Sequence, residues 1–105
     1  MEIKVNDYVR TDKGTIDKIT DENIMIYQVA LMGFGEKPIK SSPRIIDLIE
    51  VGDYVNGCKV SEIKDKWLIL NYADIETYEQ LERKNENIKS VLTKEMFEQM
   101  NYKIN

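Results

Sequence analysis

The sequence has no histidine and only one cysteine, Cys58. A disulfide within the chain is therefore excluded, and the usual ligand sets for zinc, haem and iron–sulfur clusters cannot be assembled. Nucleophile–base pairs that use histidine are excluded as well. Cys58 follows a tight-turn signal and is interpreted as a small, packed strand residue. The sequence thus predicts a protein that is not an enzyme and that has no metal site and no cofactor.

Long apolar runs, a secretion signal and an excess of basic residues are also lacking. The longest apolar stretch spans residues 29–35, which is far too short to cross a bilayer. Charged residues interrupt the first ten positions, so no signal peptide is predicted. The 15 basic and 19 acidic residues give a net charge of −4, which disfavours a protein that neutralises nucleic-acid phosphates. We therefore expect a cytoplasmic protein without membrane association.

The sequence does contain an internal repeat. Val-Asn-Asp-Tyr-Val at residues 5–9 recurs as Val-Gly-Asp-Tyr-Val at residues 51–55. Each copy leads through a turn into a short β-like run, and later segments repeat at similar offsets. Duplication of one structural unit produces such a pattern. The chain is therefore predicted to hold two similar β-barrel-like modules, residues 1–50 and residues 51–105.

The first module is predicted to contain a hairpin, two further strands and a helical turn. Its predicted strands are residues 7–11, 15–19, 24–29 and 39–41. Gly14 supplies the hairpin turn because glycine readily adopts positive φ. β-Branched residues favour the third strand. Ser42 and Pro43 mark the start of the helical turn, as N-cap and first helical residue.

The second module repeats this order. Its predicted strands after the turn are residues 59–63, 67–72, 88–92 and 102–104. Asn56-Gly57 is the strongest short hairpin signal, and Thr93 is a predicted N-cap for a helix at residues 94–100. Residues 73–87 are interpreted as a long excursion before the fourth strand. This order is typical of SH3-like barrels, so we predict a mainly β fold with short helices, arranged as a tandem repeat of two small SH3-like barrel modules.

One candidate binding segment is apolar where a connecting loop is normally polar. Met32 and Phe34 lie at residues 31–35, and Phe34 stands between two glycines. A phenylalanine so placed does not fit a regular strand, so it either covers its own core or faces a partner. The partner would be a second copy of the chain or a target protein, because methionine adapts its shape and phenylalanine anchors.

Aromatic residues in the repeat form a second candidate site. Tyr8 and Tyr54 are repeat equivalents, and Arg10 lies close to Tyr8 in sequence. Tyrosine beside arginine can stack on a base, which would suit a small nucleotide. The alternative is that strands simply favour aromatic residues. Met32, Phe34, Tyr8, Arg10 and Tyr54 are accordingly the candidate binding residues.

Two segments carry a resemblance to known proteins. Residues 40–57, KSSPRIIDLIEVGDYVNG, and residues 87–103, NIKSVLTKEMFEQMNYK, resemble small uncharacterised proteins of phages and prophages of Gram-positive Firmicutes. Residues 4–11 fit them too. Met96 departs from the resemblance, because glutamine or glutamate is expected there. The segment 74–86 aligns with nothing in those proteins.

The resemblance implies a setting in the cytoplasm of a host cell. Small acidic phage proteins without catalytic residues commonly act by binding. We therefore expect a non-catalytic, phage-encoded binding protein that inhibits a host or antiviral-defence factor, by binding a protein or by sequestering a nucleotide signal. A homo-oligomer is a further possibility of the apolar segment. The alternative function is a nucleic-acid-binding accessory protein of phage replication or expression, which the acidic charge makes the weaker choice.

Overall fold

The computed structural model of the chain describes residues 1–71 and 78–100. It is mainly β, with two antiparallel sheets and two short helices. The chain divides into two compact units, Met1–Leu48 and Ile49–Asn105. The predicted mainly β fold with short helices is confirmed.

The first unit is a three-stranded sheet with one α-helix. Its elements are β1 (Tyr8–Thr11), β2 (Ile16–Lys18), α1 (Ile24–Ala30), β3 (Pro38–Ser42) and a 3₁₀ helix at Ile45–Leu48. The strand order is β2-β1-β3, so β1 is the central strand. Gly14, with φ of 86°, closes the turn between β1 and β2, and the predicted hairpin is confirmed.

The core of the first unit gathers around β1. Its buried cluster contains Ile3, Val9, Ile19 and Tyr27, with Ile24 and Leu31 packed against it. The hydroxyl of Tyr27 donates a hydrogen bond of 2.7 Å to the Asp17 carboxylate. Burial, together with this carboxylate, raises the pKa of Tyr27 well above its ordinary value. The helix is thus fixed to the sheet by apolar packing, by the Tyr27 hydroxyl, and by the side-chain amide of its N-cap Asn23, which donates to Asp17 (3.3 Å) and to the Lys18 carbonyl (2.9 Å).

The segment predicted as the third strand, residues 24–29, is a helix instead. The helix begins after a reciprocal pair: the Asn23 amide N–H donates to Thr20 Oγ1 (3.3 Å), and the Thr20 amide N–H donates to Asn23 Oδ1 (2.7 Å). The pair has the reciprocal pattern of a capping box and closes the turn at residues 20–23, directly before the helix, whose N-cap Asn23 makes no side-chain bond to the first helical amides. The strand prediction is wrong: the segment has a high β-branched content, but its buried residues, Tyr27 and Ala30, have helical spacing.

The second unit is a five-stranded sheet with order β7-β6-β5-β4-β8. Its elements are β4 (Tyr54–Val55), β5 (Cys58–Ile63), β6 (Trp67–Asn71), β7 (Tyr78–Glu82), a 3₁₀ helix at Asn85–Asn87, β8 (Val91–Leu92) and α2 (Lys94–Met100). Every neighbouring pair in this sheet is antiparallel. The buried apolar residues of this unit are Ile49, Val55, Cys58, Val60, Leu68, Ile69 and Leu70.

The Asn56-Gly57 hairpin is confirmed. Asn56 and Gly57 have φ of 52° and 84°, and Val55 pairs with Cys58 across the turn. Positive φ at both central positions is the geometry that Asn-Gly favours. Asn56 also reaches the approach to β8, because its side-chain amide donates to the Asn87 carbonyl at 2.8 Å. The turn residue therefore links the hairpin to the last strand of the sheet.

Other predictions for the second unit are met in part. The third strand is confirmed over the described residues 67–71, whereas the fourth is reduced to Val91–Leu92. The helix at Lys94–Met100 is confirmed, and Thr93 Oγ1 accepts from the Met96 amide at 3.3 Å. Part of the predicted excursion is strand β7, which pairs with β6. The predicted strand at 102–104 lies outside the described residues, as do residues 72–77.

The closed SH3-like barrels predicted from the sequence are not found in residues 1–71 and 78–100. Both sheets are open, with β2 and β3 at the edges of one and β7 and β8 at the edges of the other. In the first unit the reason is visible in the chain order. A helix occupies the place of the predicted third strand, so only three strands are available.

The first strand of each unit nevertheless begins with the same turn. Asn6 and Gly52, which are equivalent in the repeat, have φ of 76° and 98°. Their amides donate to the carbonyls of Ile19 (2.8 Å) and Val60 (2.9 Å), which are both fully buried. The next residue in each copy is an aspartate whose carbonyl accepts a 2.7 Å hydrogen bond from that same buried residue. The repeat seen in the sequence thus has a counterpart in backbone geometry.

Candidate functional site

The helix α1 is apolar on two sides. Tyr27 and Ala30 are buried against the first unit's core. Met25, Ile26 and Val29 lie on the outward side and are 70%, 66% and 40% exposed. A surface helix normally carries polar residues on its outward side. The apolar outward side of α1 therefore requires an explanation beyond the folding of its own unit.

The end of the helix adds two more apolar side chains to this side. The Gly33 amide donates to the Ala30 carbonyl at 3.0 Å, and the Phe34 amide donates to the Val29 carbonyl at 3.4 Å. With Gly33 at φ of 103°, these two bonds form a Schellman motif. The motif folds Phe34 back beside Val29. Met32 and Phe34 are 75% and 68% exposed.

We call the outward apolar residues of this helix and its C-terminal cap the α1 surface. It consists of Met25, Ile26, Val29, Met32 and Phe34. From the sequence, Phe34 either covers its own core or faces a partner. The structure shows that it is exposed and does not cover the core. The three helical members were not predicted as site residues, because residues 24–29 were predicted to be a strand.

No residue of the α1 surface is charged, but charged residues precede and follow it in the chain. No charged residue occurs between Asn23 and Gly35, whereas Asp21 and Glu22 precede this stretch and Glu36 and Lys37 follow it. Glu36 is held at the sheet, because its carboxylate accepts hydrogen bonds from the hydroxyls of Thr11 (3.1 Å) and Thr15 (2.8 Å). The end before the helix therefore has a charge of −2, from Asp21 and Glu22, whereas Glu36 and Lys37 cancel at the end after the cap.

The predicted pairing of Tyr8 with Arg10 as a stacking site is wrong for Arg10. Arg10 is fully buried, and its guanidinium donates to the Leu48 carbonyl at 2.9 Å. A side chain so enclosed has no surface for a base. Tyr8 is half-buried at the start of β1, with the Lys18 ammonium 6.0 Å from its ring centroid. The arginine thus serves the interior of its unit, because its long side chain ties β1 to the end of the 3₁₀ helix.

Tyr54 lies in a cleft of the second unit. Its ring stacks on Phe97, with centroids 4.8 Å apart and an angle of 26° between the planes. The cleft has a volume of about 250 Å³ and is lined by Gly52, Tyr54, Lys59, Lys94, Phe97 and Glu98. Lys94 forms a 2.8 Å ion pair with Glu50. Within residues 1–71 and 78–100, the Lys59 ammonium forms neither a hydrogen bond nor an ion pair.

Asp53 and Cys58, which directly precede the cleft residues Tyr54 and Lys59 in the chain, are both buried. One carboxylate oxygen of Asp53 accepts from the Glu50 amide (2.7 Å) and the other accepts from the Lys94 amide (2.9 Å). Asp53 therefore joins the turn before β4 to the start of α2, which is the structural role expected for a turn aspartate. Cys58 is a free, buried thiol.

Comparison of the chain with protein-family models, with curated proteins and with solved structures finds no match. The support for both candidate sites therefore comes from the geometry of the structure alone. Neither helix in the described part of the chain has the length and the apolar content that crossing a membrane requires. The α1 surface has five apolar side chains that are at least 40% exposed, whereas the cleft is lined by one such side chain, Phe97 at 42%.

Proposed function

We propose that this protein is a non-catalytic binding protein that attaches to a partner protein through the α1 surface. The observation that carries the proposal is the exposure of five apolar side chains on one helix and its cap. Large contiguous apolar patches on a protein surface mark interaction sites. Methionine adapts to different shapes, and phenylalanine is an effective anchor in a partner's pocket.

A protein partner suits this surface better than a nucleic acid does. The surface contains no basic residue, two acidic residues precede it, and the whole chain carries a net charge of −4. Binding to a phosphate backbone depends on clustered lysine and arginine. The complementary partner has an apolar surface with basic residues opposite Asp21 and Glu22, because opposite charges steer the two surfaces together.

The resemblance to phage and prophage proteins makes a host or antiviral-defence protein the first partner to test. In that setting the protein acts as an inhibitor that covers a functional surface of its target. This extension of the proposal depends on the resemblance and not on the geometry of the α1 surface.

The two units also support a proposal about origin. We propose that they derive from one duplicated SH3-like module. In both units the first strand is flanked by its hairpin partner and by a strand that returns later in the chain. The turn before that first strand has the same hydrogen bonds in both copies. The units then differ at their third element, which is a helix in one and a strand in the other.

The binding proposal is tested with Phe34→Ala. An exposed phenylalanine that becomes buried in a partner contributes about 1.5–3 kcal/mol, so we expect the dissociation constant to rise about tenfold or more. The free energy of unfolding should change by less than about 0.5 kcal/mol. Partners are recovered from host cells with the wild-type chain, purified, and titrated calorimetrically against both chains.

Tyr78→Ala is the matched control, because Tyr78 is a similarly exposed aromatic residue in the second unit. It should leave the dissociation constant unchanged. A partner that binds the Phe34→Ala and Tyr78→Ala chains equally well would contradict the role of the α1 surface. A large fall in melting temperature for Phe34→Ala, with unchanged binding, would show that Phe34 serves its own fold.

A second candidate function is binding of a small nucleotide in the cleft at Tyr54. The observation that favours it is that Lys59, whose ammonium has no partner among the described residues, lines the same cleft as the partly exposed Phe97 ring. Such a pair can hold a phosphate and stack a base. Calorimetry with 5′-AMP, adenosine and inorganic phosphate tests it. Tightest binding by 5′-AMP, weakened at least about fivefold by Phe97→Ala, would support it, and equal binding to both chains would contradict it.

A further inference from the structure

We infer that, in the free protein, the α1 surface is covered by the same surface of a second copy of this chain. The two copies form a twofold-symmetric dimer with their α1 helices antiparallel. The dimer itself follows from the surface alone. One consequence rests on the proposed function: a partner protein has to displace the second copy before it can bind.

The first argument is the area of the patch. The members of the α1 surface are 40–75% exposed, and five such side chains together present roughly 600 Å² of apolar surface, the upper end of what monomers leave in water. A stable protein–protein contact covers about 800 Å² on each partner. The exposed polar residue Gln28, next to Val29 in the chain, adds to the rim around the patch.

The second argument is that the patch is complementary to itself. A twofold interface places the same residues on both sides, so it tolerates no charge near its axis. No charged residue occurs from Asn23 to Gly35, and the methionines at positions 25 and 32 adapt to an identical opposing surface. Val29, between the helix positions and the cap, lies at the centre of the patch.

The third argument fixes the direction of the helices. Asp21 and Glu22 give the end before α1 a charge of −2, whereas Glu36 and Lys37, which follow the cap, cancel each other. Helix and cap together span about 15 Å, so an antiparallel arrangement places the acidic end of each copy beside Lys37 of the other. A parallel arrangement would place acidic ends together. Within residues 1–71 and 78–100 the Lys37 ammonium forms no ion pair that competes with this contact.

Sedimentation equilibrium of the full chain over a range of concentrations tests the dimer. Val29→Glu places two like charges at the twofold axis, and we expect it to raise the dimer dissociation constant at least a hundredfold. Val51→Glu is the control, since Val51 is an exposed valine of the second unit, and it should leave the dissociation constant unchanged. Circular dichroism of both variants verifies that each is folded.

Charge reversal tests the orientation. Lys37→Glu alone should weaken the dimer about three- to tenfold, and so should the double change Asp21→Lys and Glu22→Lys. All three changes together should restore wild-type association, because each pair between positions 21 or 22 of one copy and position 37 of the other again joins opposite charges. A wild-type chain that is monomeric at all concentrations overturns the inference, and so does a dimer that survives Val29→Glu. Failure of the triple change to restore association overturns the antiparallel arrangement.

The same variants separate this inference from the proposed function. If Val29→Glu is monomeric but binds the recovered partner as tightly as the wild type, the dimer stands and the partner uses another surface. If the wild-type chain is monomeric and Phe34→Ala still loses partner binding, the proposed function stands and the dimer is wrong.

Discussion

Two aspartates at equivalent repeat positions differ in what their side chains do. Asp53 is fully buried, and its two carboxylate oxygens accept the amides of Glu50 and Lys94. Asp7 is half-buried, and within residues 1–71 and 78–100 its carboxylate accepts no hydrogen bond. The main-chain turn has the same backbone hydrogen bonds in both copies, and part of the difference arises from the start of α2, whose Lys94 amide donates to Asp53.

This difference gives a prediction at the scale of single residues. Asp53→Asn replaces one of the two buried acceptors by a donor that faces an amide, so we expect the free energy of unfolding to fall by about 3 kcal/mol. Asp7→Asn is the matched control and should change it by less than about 0.5 kcal/mol. Urea denaturation of the three proteins measures both values. Equal effects of the two changes would contradict the assignment of Asp53 as the joint between turn and helix.

At the scale of elements, α1 is the part of the molecule on which the binding proposal depends. Its inward side is fixed by Tyr27, which is buried and hydrogen-bonded to Asp17. Its outward side is also apolar, because Met25, Ile26 and Val29 lie at helical spacing and are exposed. That side is therefore available to a partner. A short helix of seven residues is marginal on its own, so the α1 surface keeps its shape only while the inward contacts hold.

The Tyr27 contact makes a prediction about pH. Burial and the Asp17 carboxylate raise the pKa of the phenol above its ordinary value near 10. The folded chain therefore keeps a proton that the unfolded chain releases, and this part of the stability is present below pH about 10 and is lost as the pH rises further. The wild-type free energy of unfolding should accordingly fall more steeply above pH about 10 than that of Tyr27→Phe.

Urea denaturation at pH 7, 9, 10 and 11 compares the two chains. At pH 7 the variant should be less stable by about 1–2 kcal/mol, because it lacks a hydrogen bond to a charged group. The difference in the free energy of unfolding between the two chains should become smaller at pH 10 and pH 11. A difference in the free energy of unfolding that stays constant from pH 7 to pH 11 would contradict the raised pKa of Tyr27 as a source of stability.

The helix and its outward surface could have been found in the sequence. Tyr27 and Ala30 are three residues apart, as are Ile26 and Val29, and such spacing is helical. Thr20 and Asn23 could also have been read as a capping pair, with asparagine in place of the usual glutamate or glutamine. The burial of Arg10 could not be predicted in this way, since arginine is rarely enclosed and its carbonyl partner, on Leu48, is 38 residues away.

At the scale of the whole chain, the duplication leads to a prediction about geometry. Superposition of the two units should place β1, β2 and β3 on β4, β5 and β8, with the buried Val9 on the buried Val55, which crystallography of the chain can measure. The shared turn and the full burial of both valines support this expectation. Helix α1 and strand β6 should remain without counterparts. Failure of the two valines to coincide after superposition of the turns would contradict a common origin.

The sequence by itself determined the features that depend on neighbouring residues. Asn56-Gly57 forms its hairpin because both residues tolerate positive φ, Thr93 caps α2, and the repeated Val-x-Asp-Tyr-Val segments form the same turn. Tertiary structure decided the rest. Arg10 was enclosed by its unit, and the sheets remained open because strand pairing depends on which edges meet. Those outcomes depend on contacts between residues far apart in the chain, which local patterns do not encode.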